Sequence, residues 1–375
     1  MHKNMQRIGA GVAFLSIAAL GLTACGGSNN PTSDSSGSAS GDADTKQLSG
    51  TLSGSGASSQ EAAIAAWQNG FTSTQSGAQV QYNPVGSGAG RKAFLAGQVA
   101  FAGSDAALAG DEQTQAQKQC GDGGALNIPA YVSPVAVTVN LDGIKEVNLD
   151  GPTIAKIFAG EITQWDDKAI TEQNPDADLP STKITPIHRS DDSGTTENFT
   201  EYLDAVAKDE WGEGVVETWP KGFGGESAQG TSGVVKLAGS TEGSIAYADL
   251  SAVGDDLGKV AVKVGDEYQA PTEEAAAKNV ELAEKVEGTE ENDLALELDR
   301  TSQEAGQYPI VLVSYHVYCS TYKDQNTADL VKAFGTYVVS DEGQKAAEEA
   351  AGSAPLTETT AEQAKTAIDS ITVAK

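Results

Sequence analysis

Leu48-Ser49-Gly50-Thr51-Leu52-Ser53-Gly54-Ser55-Gly56-Ala57-Ser58-Ser59-Gln60-Glu61 is the stretch on which the fold of this chain turns. Its first five residues alternate apolar and polar, the period of a half-buried strand. The glycines then make a polar turn, and Ala62, Ile64, Ala65 and Trp67 follow at helical spacing, with Ser58 or Ser59 as the cap. The same order returns twice. Ala78–Asn83 reads as a strand and Gly86-Ser87-Gly88-Ala89-Gly90 as the turn into a helix bearing Phe94 and Leu95, and a third strand, Val99–Gly103, ends on Ser104-Asp105. This repetition predicts an α/β lobe whose strand ends converge on one edge.

Further along, residues 126–140 are apolar and extended, carrying the chain toward a second lobe. Gly151–Ala159 is a compact helix with Ile154, Ile157 and Phe158 on one face, stopped by Gly160, with Trp165 packed against it. Ile184–Arg189 is a strand that runs through Ser190-Asp191-Asp192-Ser193-Gly194-Thr195-Thr196 into a helix carrying Phe199, Tyr202, Leu203 and Val206. Ser244–Tyr247 is a short strand, Pro271–Val286 a solvated helix-prone segment, Ile310–Tyr315 a buried strand and Asp329–Val338 a helix. The last two return to the first lobe, closing two lobes around a cleft.

Residues 1–24 combine Lys3 and Arg7 with an apolar run, Ile8–Leu22, that is too short and glycine-interrupted for a bilayer span and ends in small residues, as an export signal does. Leu22-Thr23-Ala24-Cys25-Gly26 resembles a lipobox, in which Cys25 would receive a diacylglycerol anchor and become the first mature residue; an ordinary cleaved signal is the alternative. Residues 25–47 read as a flexible tether of Gly, Ser, Asn, Asp and Thr. The expected location is therefore the extracytoplasmic face of the cell membrane, held by lipid.

The net charge of −29, taken to −31 by loss of Lys3 and Arg7 with the leader, argues against nucleic acid and anionic membranes as partners. A small anion in a buried site is still allowed, because distant charge is screened within about 10 Å. Cys120 and Cys319 form either one disulfide or two separate buried thiols. With only His2, His188 and His316, scattered, no metal site or cofactor is expected.

Ser58-Ser59, Ser87 and Ser193-Gly194-Thr195-Thr196 share one arrangement: small hydroxyl residues and glycine at a helix start after a strand. Such starts present unpaired N–H groups and the positive end of the helix dipole, a cradle for a tetrahedral anion. Arg189, four residues before Ser193, can fork two donors onto one oxyanion. Asp105 either caps the turn that follows it or serves the site as an acceptor. In the second role it admits an anion that carries a proton, such as phosphate, and penalises sulfate, which carries none. No histidine or base stands near Ser87 or Ser193 in sequence, so a phosphatase-like enzyme is the weaker reading, beside binding of another oxyanion.

These segments, with Phe101–Ala106, Ile157–Asp167, Gly243–Tyr247 and Tyr308-Pro309-Ile310, resemble in order the signatures of the phosphate-binding lipoproteins of bacterial high-affinity ABC phosphate importers. The resemblance covers the chain from Leu48 onward. It implies a type II periplasmic-binding fold, with residues 48–132 and 300–375 as lobe 1 and 133–299 as lobe 2. Ser58, Ser59 and Ser87 would supply first-lobe donors and Asp105 would accept the phosphate proton. Arg189 would pair with phosphate oxygens, Asp191 would orient Arg189 or touch the ligand, and Ser193, Gly194 and Thr195 would donate. The implied partners are inorganic phosphate and a membrane permease and ATPase complex, with the receptor itself monomeric and not an enzyme. Two departures stand out: Ser58-Ser59 where the family commonly has Thr-Phe, and Asp192 in place of a usual glycine, which adds charge near the site.

Overall fold

The computed structural model describes residues 47–281, 283–287 and 290–375; the leader, Cys25 and nearly all of the tether lie outside the described residues. In chain order the elements are β1 (Ser49–Gly56), α1 (Glu61–Thr74), β2 (Gly77–Asn83), α2 (Ser87–Leu95), β3 (Phe101–Ser104), α3 (Asp111–Cys120) and β4 (Ala125–Val139). Then come β5 (Glu146–Leu149), α4 (Gly151–Ala159), α5 (Lys168–Thr171), β6 (Thr185–Arg189), α6 (Gly194–Val206), α7 (Lys208–Trp211), β7 (Glu226–Ala228) and α8 (Gly230–Ser240). The chain continues with β8 (Ser244–Asp249), β9 (Gly258–Val264), β10 (Glu267–Gln269), α9 (Glu273–Val280), β11 (Glu284–Lys285) and β12 (Leu296–Glu297). It closes with β13 (Val311–Cys319), β14 (Thr321–Tyr322), α10 (Gln325–Val338), α11 (Asp341–Ala351), α12 (Glu358–Asp369) and β15 (Thr372–Val373).

The strand–turn–helix units become two α/β lobes strung on one curled sheet with the order β2-β1-β3-β13-β4-β8-β6-β7. β1 pairs in parallel with β2 and β3, and β6 in parallel with β7 and β8. The long β4 joins the two halves: its residues up to Pro134 pair antiparallel with β13, and from Val135 to Val139 with β8. All fifteen residues of β4 are buried, which explains an uninterrupted apolar run where a half-exposed strand would alternate. Parallel strands covered by helices point their carboxyl ends at one edge, and in both lobes that edge is the cleft.

Packing follows the apolar faces read from sequence. Trp67 and Phe71 of α1 meet Phe334 and Tyr337 of α10 and the ring of His316, returning the C-terminal helices to the first lobe. In the second lobe Phe158 stacks edge-on against Phe199 and Trp219, and Trp165 is fully buried with its Nε1 donating to Gly243 O. Cys120 and Cys319 are joined in a disulfide that ties the end of α3 to the end of β13, 199 residues apart.

Two local expectations change. α1 starts at Glu61 behind Gln60, and neither Ser58 nor Ser59 caps it; both hydroxyls are drawn to partners across the site instead. The segment expected as a solvated helix at 271–286 is helical only over Glu273–Val280, and Ala275, Ala276 and Asn279 turn inward. Ala276 packs there with Val132, Val311, Val313 and Ala354 behind the crossing strands.

Candidate functional site

Asp105 sits just past the end of β3, 3 % exposed, and its carboxylate gathers hydroxyls from three directions. Ser59 Oγ lies 2.8 and 2.7 Å from Oδ1 and Oδ2, Ser314 Oγ of β13 donates to Oδ1 at 2.7 Å, and Thr195 Oγ1 of α6 donates to Oδ2 at 3.2 Å. The backbone is held as well: Asp105 N–H donates to Ser87 Oγ at 3.2 Å, and Asn198 Nδ2 donates to Asp105 O at 2.7 Å. The turn after β3 is served by Ser104, whose Oγ accepts from Ala106 N–H, so Asp105 does not spend its carboxylate as a cap. Burial raises the Asp105 carboxyl above its ordinary range, opposed by the hydroxyls of Ser314 and Ser59, the charge of Arg189 and the hydroxyl of Thr195.

Arg189, at the end of β6 and 3 % exposed, forks onto Asp191, with Nε 2.8 Å from Oδ1 and Nη2 on Oδ2. Its neighbour His188 turns the other way and stacks on Trp219, as strand alternation requires. Asp191 Oδ1 also accepts the N–H of Gly230, tying the guanidinium's partner to the start of α8. Asp191 therefore orients Arg189, one of the two roles expected of it. Ser193 is the N-cap of α6, its Oγ accepting from Thr196 N–H, so Gly194 and Thr195 occupy the first helical turn. Their helix dipole faces the Asp105 edge.

The two sides approach closely. A Cβ built on Gly194 would come within 2.6 Å of Ser87 Oγ and 2.9 Å of Asp105 Cβ. Gly86, at φ 100°, adopts a conformation that favours glycine and leaves no room for a Cβ beside Asp191 Oδ2. At the rim Arg91 of α2 bonds Glu112, Ser104 and, across the cleft, Glu217 at 2.9 Å. Asp192, the added charge near the site, pairs with Lys92 at 2.6 Å and accepts from Thr218, and these partners pull its carboxyl below the usual range. Glu197, one turn into α6, has its carboxyl raised to about 7 by burial and by the nearby charge of Glu217.

Of the nine predicted residues, Ser59, Ser87, Asp105, Arg189, Asp191, Ser193, Gly194 and Thr195 lie in the network just described, and Ser58 reaches it through Thr231. Four further residues belong with them. Thr231, in the first turn of α8, meets Ser58 across the cleft. Its Gly230-Thr231-Ser232-Gly233 context repeats the helix-start pattern of the other three segments, and that signal was available in the sequence. Ser314 is a lone hydroxyl in an apolar run, meaningful only once β13 is laid beside β3. Asn198 and Arg300 meet through Nη2 and Oδ1, and Arg300 also holds the carbonyls of Pro309 and Val311. No local pattern marks a contact separated by 102 residues.

Chemically, the site offers opposed hydroxyls, helix-start N–H groups and the Arg189 guanidinium around the Asp105 carboxylate. The hydroxyls of Ser59, Ser314 and Thr195 all donate to Asp105, and the Oγ of Ser193 accepts from Thr196 N–H.

Comparison with known proteins matches residues 37–342 to a family described as a PBP superfamily domain. Phosphate-binding protein PstS3 of Mycobacterium bovis BCG is 39% identical over 339 residues, covering 88% of this chain and 90% of its own. Phosphate-binding protein PstS 3 of Mycobacterium leprae is 37% identical over 344 residues, with the same coverage, 88% and 90%. Among solved structures, a high-affinity periplasmic phosphate-binding protein, PfluDING, bound with phosphate, superposes with a TM-score of 0.70 at 22% identity over 84% of this chain and 93% of that one.

Proposed function

The chain belongs to the PstS phosphate-binding proteins of the PBP superfamily, and from that premise we propose that it captures inorganic phosphate outside the cell between its two lobes and delivers it to an ABC permease and its ATPase. The observation that carries the reading is the buried Asp105 carboxylate surrounded by donors. Among the described contacts it is an acceptor set amid an anion cradle, a combination useful only to an anion that brings its own proton. Phosphate oxygens would take the hydroxyl and helix-start donors of Ser58, Ser87, Gly194 and Thr195 and the Arg189 N–H groups not pointed at Asp191, while a phosphate hydroxyl donates to Asp105.

The relatives are named phosphate-binding proteins, which supports a binding role over catalysis. We take the lobes to divide at 132/133, just before β4 exchanges β13 for β8, with the return to the first lobe at residue 300; the segment ahead of that return already packs on first-lobe residues, Ala276 beside Val132 and Ala354. Closure brings Thr195 and Thr231 against Asp105 and Ser58. The receptor works as a monomer, and lipid on Cys25 keeps it near its permease, raising effective concentration without fixing orientation.

Titration of the full-length protein with phosphate and with sulfate, and assay of phosphomonoester turnover on the same sample, tests this. Phosphate is expected to bind far more tightly than sulfate, with no turnover. Equal affinities would remove the role of Asp105, and turnover would reinstate the enzyme reading. Replacing Cys25 with Ser should release the protein from the membrane and leave phosphate binding intact.

A further inference from the structure

Ser314 reaches Asp105 from the crossing strand β13, fully buried. Gln60, also fully buried, donates from Nε2 to Ser314 Oγ at 2.8 Å and to Tyr315 O at 3.0 Å. A carbonyl oxygen only accepts, so the Tyr315 contact fixes which end of the amide is nitrogen. The Ser314 oxygen therefore accepts from Gln60, and its own hydrogen goes to Asp105 Oδ1, 2.7 Å away. The direction of the chain Gln60 to Ser314 to Asp105 is set by chemistry. Oδ2 is placed differently: it shares Ser59 with Oδ1, and its second donor, Thr195, comes from the opposite lobe.

We propose that Ser314, its hydroxyl oriented by Gln60, is a positioning residue that commits Asp105 Oδ1 as a permanent acceptor and leaves Oδ2 to take the proton of the bound oxyanion. The inference rests on the phosphate-binding reading above and adds to it which carboxylate oxygen is the discriminator and what keeps it unprotonated. Other groups act on Asp105 from every side. Arg189 from β6 favours its charged form, while Tyr82 of β2, Tyr131 of β4 and Asp249 of β8 couple to it electrostatically. Both tyrosines are held neutral well above their ordinary range by burial, and burial raises Asp249 to about 7. Loss of the Ser314 hydroxyl leaves the burial of Asp105 less opposed, so the carboxyl holds its proton to higher pH. A protonated Asp105 is a donor, and a sulfate oxygen can accept from it.

Sulfate competition against bound phosphate, measured across pH on full-length wild type, Ser314→Ala, Ser314→Thr and Gln60→Met, tests the proposal. Ser314→Ala should let sulfate compete at a higher pH than it does in wild type, narrowing the phosphate preference by roughly tenfold or more, the worth of one hydrogen bond to a charged group. Ser314→Thr, which keeps the hydroxyl, should retain the wild-type preference. Gln60→Met leaves Ser314 in place but frees its hydroxyl, and should shift the preference in the same direction by less. An unchanged preference at every pH in both Ser314→Ala and Gln60→Met, or equal weakening of the two anions, would overturn the role of Ser314. Wild type that failed to prefer phosphate would instead overturn the phosphate reading and this inference with it.

Discussion

Thr231 donates its backbone N–H to Ser58 Oγ at 3.0 Å, and the two hydroxyls meet at 3.1 Å, so the start of α8 in one lobe is bonded to the turn after β1 in the other. Both residues are buried, 3 % and 6 % exposed. Ser58 Oγ is thus a contact between the two lobes.

Ser58→Ala removes the acceptor for Thr231 N–H and leaves that donor buried. A loss of about 1–3 kcal/mol in closed-state stability is expected, read as phosphate affinity weakened by roughly tenfold or more. Calorimetric titration checks it, and an unchanged dissociation constant would remove the Ser58–Thr231 contact from the closure energetics.

Asp105→Asn exchanges an acceptor-only oxygen for an amide that can donate. Sulfate binding should rise relative to phosphate, since an Asn amide can satisfy an oxygen that bears no hydrogen. A ratio of the two affinities equal to that of wild type would show that discrimination lies elsewhere.

Arg189→Met removes a buried guanidinium and strands Asp191, a partly buried carboxylate bonded also to Gly230 N–H. Breaking a buried pair in this way costs about 3–5 kcal/mol. Phosphate affinity should collapse and thermal stability fall together; Arg189→Lys, which keeps the charge but not the fork, should recover part of the stability and little of the affinity.

Glu197 has a folded-state carboxyl raised from 4.5 to about 7, so between those pH values the folded protein holds a proton that the unfolded chain has lost. Stability is consequently drained as pH rises through that window and stays lower above it. Glu197→Gln cannot titrate. Its stability relative to wild type should climb across the same window to a plateau of about 1–3 kcal/mol, discounted for the partial exposure of the group, and vanish near pH 4. Denaturant melts at several pH values check this; a pH-independent difference would argue that Glu197 contributes through packing alone.

Reduction of Cys120–Cys319 opens a loop of 199 residues that ties α3 to the end of β13. A loss of about 2–5 kcal/mol in stability is expected. Phosphate binding below the unfolding transition should persist, because no ligand residue is bonded to either cysteine. Mass analysis with and without reductant confirms the linkage, and loss of binding in a protein still folded would contradict the separation of bridge and site.

The elements that were legible in the sequence, among them β1, α1, β2, α2, α4, β6 and α6, have local causes, whereas α3, α8, β9, α11 and α12 were not read from it. Gly151–Ala159 carries its cap, its apolar face and its stop within eleven residues, from Asp150 to the left-handed Gly160, and forms as read. Arg189, Ser193, Gly194 and Thr195 lie within seven residues, so strand end, fork and helix start could be recognised together. The serines at 58 and 59 fit the cap pattern equally well, yet serve other groups. A hydroxyl's partner depends on what tertiary packing brings near it, and for these two it is Thr231 and Asp105.

Only the tertiary structure decided the direction of the hydrogen bonds at Asp105 and the fate of Asp192. Ser314 is separated from Asp105 by 209 residues and Lys92 from Asp192 by 100, distances over which periodicity and capping rules carry no information. The sequence by itself determined the strand-and-turn units, the helix-start donors, the acceptor carboxylate and the pair of cysteines, since each is a property of residue type and short spacing. The curling of β4 between β13 and β8 determined which of those groups face one another. A buried site has its chemistry set by the neighbours that remain when water is excluded, and those neighbours come from chain segments far apart in sequence.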